Sequence, residues 1–154
     1  MIRPKGYKSP YEWSLGNIQI NSMMMAVYAK RCQGYGIVPI VEPEVLMDGT
    51  HGIGVSYQTT SAALSELFKA LDSQSVDLEK IILKPNMVVT GYSSAVRAPN
   101  EEAAEKTVEC FRRHVPASVP AIAFLSGGQQ DEDVLDILGQ ISHSFHLPWN
   151  ISFS

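Results

Sequence analysis

Lys84 ends a run of three large aliphatic residues and stands directly before a proline, in the stretch "KIILKPNMV" (80 to 88). An ammonium is costly to strip of water, so a lysine in such a setting favours its neutral amine. A neutral amine can attack a carbonyl and, on loss of water, form an iminium. That step needs a proton acceptor and donor beside it. Glu42 and Glu44, in "IVEPEV", place two carboxylates after another apolar run, and Glu42 is the candidate acid/base. Ser126, Gly127 and Gly128, in "FLSGGQ", offer a hydroxyl and unencumbered backbone N–H groups ahead of a helix, a cradle for phosphate. Ser154 follows a fourth apolar stretch, "NISF". Each residue also has an ordinary reading: a lysine that snorkels to solvent, a solvated "EPE" strand exit, glycines that only shape a turn.

These residues recur at one kind of place, the end of an apolar strand. "GIVPIV" (36 to 41), "IILK" (81 to 84), "AIAFL" (121 to 125) and "NISFS" (150 to 154) read as strands, the first three as buried ones. Helical patterns alternate with them. Residues 17 to 32 set Ile18, Met25, Ala29 and Cys32 on one apolar face, with the three adjacent methionines as core filler. Residues 61 to 73 repeat Leu64, Leu67, Phe68 and Leu71 after the turn chemistry of "MDGTHGIG". Asn100 reads as the N-cap of a helix carrying Ala104, Val108, Phe111 and Val115, with acids at its start and Arg112, Arg113 and His114 at its end. A last helix runs from about Asp131 through Val134, Leu135, Leu138 and Ile141. Strand and helix in alternation, with connections too long for hairpins, predict an α/β protein with parallel strands. Either a doubly wound sheet or a segment of a (β/α) barrel fits, and in both the strands' carboxyl ends carry function.

Composition bounds the rest. A chain of 154 residues supports one domain with a sizeable core, and 45% apolar with 18% charged residues is a globular balance. A net charge of −4 with scattered Lys and Arg lacks the footprint of a nucleic-acid binder. The N-terminal "MIRPKGYKSPYEW" has no apolar signal core, and no apolar run reaches the ~18 residues of a membrane span, so a cytoplasmic, unanchored chain is expected. Cys32 and Cys110 fit reduced, small core residues. "GIG" (52 to 54) lacks a dinucleotide context, "HSFH" (143 to 146) lacks further metal ligands, and "NIS" (150 to 152) falls on a strand.

Together, "GIVPIVEPEVL", "ILKPNMV" and "FLSGGQ", in this order and at these separations, resemble the class I fructose-bisphosphate aldolase family, as do "YAKRC" and "WNISFS". The likeness runs from roughly residue 10 to the end. It implies a (β/α)8, or TIM, barrel of which this chain, a single incomplete domain over residues 1–154, holds roughly the last four βα units. It implies a glycolytic lyase that cleaves fructose 1,6-bisphosphate into dihydroxyacetone phosphate and glyceraldehyde 3-phosphate through a lysine Schiff base, with no metal or other cofactor. By motif, Lys84 is the Schiff-base lysine, Glu42 the acid/base of its formation and Glu44 a neighbour shaping its field. Ser126 and Gly127 hold a substrate phosphate, Gly128 keeps that loop tight, and Ser154 begins the second half of the phosphate site. The family's N-terminal half, with an aspartate and further lysines, has no counterpart here, nor does its Tyr-Gly-Arg stretch after the last strand. Met47 before "DG" and "VTGYS" (89 to 93) also depart from the family's pattern. Four parallel strands leave two unpaired edges and an apolar inner face, which predicts association, as a homo-oligomer or with full-length subunits. The alternative is a catalytically inactive remnant that acts only through such association.

Overall fold

Ser14 opens the first helix: its hydroxyl accepts the Asn17 N–H at 3.2 Å, and α1 (Leu15–Gly34) follows. The computed structural model describes residues 14–154, so the basic N-terminal stretch lies outside the described residues. α1 stops where Gly36 adopts φ +71°, which lets the Gly36 and Ile37 N–H groups turn back onto Gln33 and Cys32. The buried face is Ile18, Ser22, Ala26 and Ala29, not the expected Ile18, Met25, Ala29 and Cys32. Small side chains let α1 lie close on the next helix, and Met25 and Cys32 end up only half-buried. Met23 and Met24, expected in the core, are 40% and 67% exposed on the outer side.

β1 (Ile40–Val41) leads to α2 (Ile53–Ser73), which starts at Ile53 rather than after the "GIG" turn. Gly54, Val55, Thr59 and Thr60 are weak helix formers, which masks this first half. It is held instead by burial of Ser56, Thr59 and Thr60, with the Thr59 hydroxyl donating to the Val55 carbonyl at 2.9 Å. A 3-10 turn (Leu78–Lys80) precedes β2 (Ile82–Leu83), and α3 (Asn100–His114) follows. Pro99, not Asn100, occupies the cap. Asn100 is the first helical residue, and its amide reaches Asp136 at 2.9 Å and Asp133 at 3.3 Å on the last helix. Ala104, Val108, Phe111 and Val115 are buried as the helical spacing predicts. β3 (Ala121–Phe124), α4 (Asp131–Ser144) and β4 (Asn150–Phe153) complete the order. On α4 the inward residues are Val134, Ile137 and Ile141, while Leu135, expected to face in, is 64% exposed.

The four strands form one parallel sheet in the order β1-β2-β3-β4. A doubly wound sheet reverses direction at a switch point, whereas this one adds each strand beside the last, as a barrel wall does. Same-handed crossovers then set every helix on one face, and α1 packs on α2, α2 on α3 and α3 on α4. The result is a sheet-and-helix arc, part of an α/β barrel. Its core lies between the layers. The register Val41, Leu83, Ile122 faces the helices and is 0–1% exposed. Phe111 of α3 meets Phe124 of β3 edge-on at 5.4 Å. Among the described residues no helix covers the other face, and there Ile40 is 50% exposed. "GIVPIV" is therefore not a buried strand: only Ile40 and Val41 pair, and Ile37 and Val38 are exposed at the sheet's outer edge.

Candidate active site

Side chains alternate across a strand, so the residues beyond β1 and β2 can be placed by counting. Ile40 faces the open side, Val41 the helices, and Glu42 the open side again. Ile82, Leu83 and Lys84 repeat the pattern one strand over, in register. Glu42 and Lys84 thus become neighbours on the uncovered face. The Lys84 N–H bonds the Val41 carbonyl at 2.8 Å, and Lys84 Nζ lies 3.5 Å from Glu42 Oε1. A quarter of the Lys84 side chain (25%) and 46% of Glu42 remain exposed. The lysine is therefore only partly desolvated; of the three aliphatics read as burial, Ile81 and Leu83 belong to the other face of the strand, and Ile82 alone shares its own. Next along the same register come Ala123 of β3 and Ser152 of β4, both with short side chains.

Two residues beyond Lys84, Asn86 is 1% exposed and ties the two strand exits together. Its Oδ1 accepts the Val45 N–H at 2.9 Å, and its Nδ2 donates to Thr60 Oγ1 and the Met87 carbonyl, each at 3.1 Å. This holds "EPEV" against "KPN". Glu44 is half-buried, its N–H on the Glu42 carbonyl at 3.2 Å, and its carboxylate forms no ion pair with another described residue.

Past β3, the Leu125 N–H bonds the Pro85 carbonyl at 3.0 Å, which extends the pairing beside the lysine's own strand. The chain then reverses: the Gln129 N–H returns to the Ser126 carbonyl at 3.0 Å, with Gly127 at φ +55° and Gly128 at φ +86°. Both central positions lie in the left-handed region, where glycine alone carries no steric penalty. The Gly127 and Gly128 N–H groups donate to no backbone carbonyl among the described residues. At the end of β4 the Ser154 N–H bonds the Phe124 carbonyl at 3.0 Å, which places exposed Ser154 beside this turn. Ser126 stands three residues beyond Ala123, the register partner of Lys84, or about 10 Å further along the strand direction. All the residues singled out by motif thus lie along one edge of the sheet, with the amine set deeper than the turn.

Sequence reasoning missed the strap across this edge. The loop after β2 ladders onto the loop after β1: Gly91 N–H to His51 carbonyl at 2.9 Å, Tyr92 to Met47 at 3.0 Å, Ser93 to Gly49 at 2.9 Å. The approach is close enough that a Cβ on Gly91 would fall 2.5 Å from the Gly49 oxygen. From there the Tyr92 hydroxyl donates to the Gly127 carbonyl at 3.0 Å, 3.2 Å from Met47 Sδ. Burial, with Asp48 nearby, pushes the Tyr92 phenol up to about 12, so it remains a donor. Burial likewise pushes the Cys110 thiol up to about 11, which suits a packing role. Among the described residues no three His, Cys, Asp or Glu side chains are gathered as a metal would need, and no helix is long and apolar enough to cross a membrane. His143 and His146 are both exposed near the end of α4.

A family model described as fructose-bisphosphate aldolase class-I matches residues 9–154. A probable fructose-bisphosphate aldolase class 1 of Xanthomonas axonopodis pv. citri is 50% identical over 137 residues, 89% of this chain and 41% of its own length. Fructose-bisphosphate aldolase A of Salmo salar is 43% identical over 140 residues, 89% of this chain and 38% of its own. The aldolase of Plasmodium falciparum, solved as a ternary complex with TRAP and a small-molecule inhibitor, superposes with a TM-score of 0.86 at 40% identity, covering 89% of this chain and 40% of that one. The chain therefore spans about 40% of the length of the relatives it matches. With its parallel sheet, one-sided helix layer and strand-end motifs, the chain belongs to the class I fructose-bisphosphate aldolase family.

Proposed function

We propose that this chain carries the Schiff-base part of a fructose-bisphosphate aldolase, a glycolytic carbon–carbon lyase acting in the cytoplasm on sugar phosphates without a metal or other cofactor. The observation that carries the reading is the approach of Lys84 Nζ to Glu42 Oε1, 3.5 Å, on the open face at the carboxyl ends of the strands. Glu42 takes a proton from the Lys84 ammonium, and the freed amine adds to the ketone carbon of fructose 1,6-bisphosphate. The C–N bond forms as the carbonyl π pair moves to oxygen, and one proton passes from the new ammonium nitrogen to that oxygen, leaving a neutral carbinolamine. The Glu42 carboxyl then returns a proton to that hydroxyl, water leaves, and the nitrogen lone pair closes the iminium. The iminium draws in the electron pair of the C3–C4 bond. As the C4 hydroxyl loses its proton, that bond breaks, glyceraldehyde 3-phosphate departs and an enamine remains. Protonation of the enamine carbon and addition of water release dihydroxyacetone phosphate and the amine. Glu44 contributes negative charge beside the pair. Ser126, Gly127 and Ser154 take a substrate phosphate through hydroxyl and backbone N–H donors, and Gly128 allows the turn that aims them.

Borohydride reduction in the presence of dihydroxyacetone phosphate tests this. Hydride delivered to the iminium carbon leaves a stable secondary amine, so mass spectrometry of the 154-residue chain should show one adduct, on Lys84. An unmodified Lys84 would sink the reading.

The exposed aliphatics Ile37, Val38 and Ile40, on an edge that pairs with no other strand among the described residues, favour a further point: the chain associates through this edge, with a second copy or with full-length subunits. Sedimentation should show a species larger than one chain, and a strictly monomeric, well-folded protein contradicts it.

A further inference from the structure

Met47 and the stretch 89 to 93 touch each other in the fold, and both touch the serine-glycine turn. Tyr92 Oη lies 3.2 Å from Met47 Sδ and bonds the Gly127 carbonyl at 3.0 Å. A Cβ on Gly127 would stand 2.8 Å from Met47 Cε, and one on Gly128 would stand 3.7 Å from Tyr92 Cε2. Behind the ring, the Arg97 guanidinium sits 6.0 Å from its centroid and donates to the Tyr92 carbonyl at 3.4 Å. The base of Tyr92 is fixed by the ladder onto residues 47 to 51.

A turn with two glycines at positive φ has little conformational preference of its own, so its peptide planes need an external hold. Gly127 C=O and Gly128 N–H belong to one trans peptide and point in opposite directions. Whatever grips the carbonyl therefore aims the N–H. We propose that Tyr92 is a positioning residue for phosphate recognition: by holding the Gly127 carbonyl, it presents the Gly128 N–H to the phosphate of a phosphorylated ketone. This rests on the assignment of Ser126, Gly127 and Ser154 to a substrate phosphate, and adds the Gly128 N–H as a further donor aimed by a residue from a different strand exit. Loss of one neutral hydrogen bond relaxes the turn without touching the amine.

The test is Tyr92→Phe, which removes only the hydroxyl. Binding of inorganic phosphate is read by phosphorus NMR, and borohydride trapping of Lys84 is read with dihydroxyacetone phosphate and with phosphate-free dihydroxyacetone. The expected result is phosphate binding weakened about five-fold and half-saturation for dihydroxyacetone phosphate raised to match, with half-saturation for dihydroxyacetone unmoved. Unchanged phosphate binding by the variant overturns the role of Tyr92 while leaving the lysine reading intact. An equal rise for both ketones also overturns it, since the hydroxyl then only supports the fold. Phosphate that fails to bind the unaltered chain removes the turn's assignment and the strap's role together, whereas bound phosphate without any Lys84 adduct sinks only the Schiff-base reading.

Discussion

Val41 and Glu42 are adjacent in the chain and have opposite fates, as do Leu83 and Lys84. Val41 and Leu83 point to the helix layer and are 1% and 0% exposed, whereas Glu42 and Lys84 point to the uncovered face and keep 46% and 25% of their side chains in solvent. The strand's two-residue period delivers one row to packing and the next to chemistry. On the covered face, neighbours are aliphatic and aromatic, and loss of volume is costly. On the open face, the groups form a loose ion pair with little energy at stake. The stability of the fold and the reactivity of the site are therefore separable, and substitutions can push on that separation.

Phe111→Ala strikes the covered side hardest. It removes a 2%-exposed ring and its edge-on partner contact with Phe124, and should cost about 3–5 kcal/mol in chemical unfolding. Asn86→Leu acts between the two faces. It leaves the buried Val45 N–H without its acceptor and Thr60 without its donor, so a loss of about 2–3 kcal/mol is expected, accompanied by weaker Lys84 trapping as the strand exits loosen. If trapping survives that change undiminished, the exits are not aligned by Asn86. The smallest effect is protonic. His51, 7% exposed against Gly91, has its pKa lowered by burial, so the folded state prefers the neutral ring. The sign follows: this contribution is present above the unfolded value of 6.5 and is lost as pH falls below it. His114, lowered by burial and by Arg113, adds in the same direction. Unfolding midpoints should decline from about pH 6.5 downward, and His51→Gln should flatten part of that decline.

Much of this arrangement could be read from residue order, because it depends on local periods. The alternation of elements gave parallel strands, and the strand ends gave a common edge. The helical spacing of Ala104, Val108, Phe111 and Val115 named a face that is buried at every position. What could not be read depends on partners distant in sequence. The stripe of α1 follows the small residues Ser22, Ala26 and Ala29, whose value shows only against α2, so larger Met25 and Cys32 were preferred in their place. The first half of α2 is polar and β-branched, and burial rather than propensity makes it helical. Lys84 looked desolvated because a one-dimensional run of aliphatics does not say which of them share its face. Asn86 and Tyr92 reach partners 26 to 45 residues away, contacts with no local signature. That Met47 and the stretch 89 to 93 meet is likewise not legible in residue order.

The separation of the two faces is tested most directly by Lys84→Met, with chemical unfolding and borohydride trapping by dihydroxyacetone phosphate measured on the same preparation. The account predicts an unfolding free energy within about 1 kcal/mol of the unaltered chain, since only a half-open ion pair is lost, together with complete disappearance of the adduct. An adduct that persists in the variant, on any other amine, would contradict it.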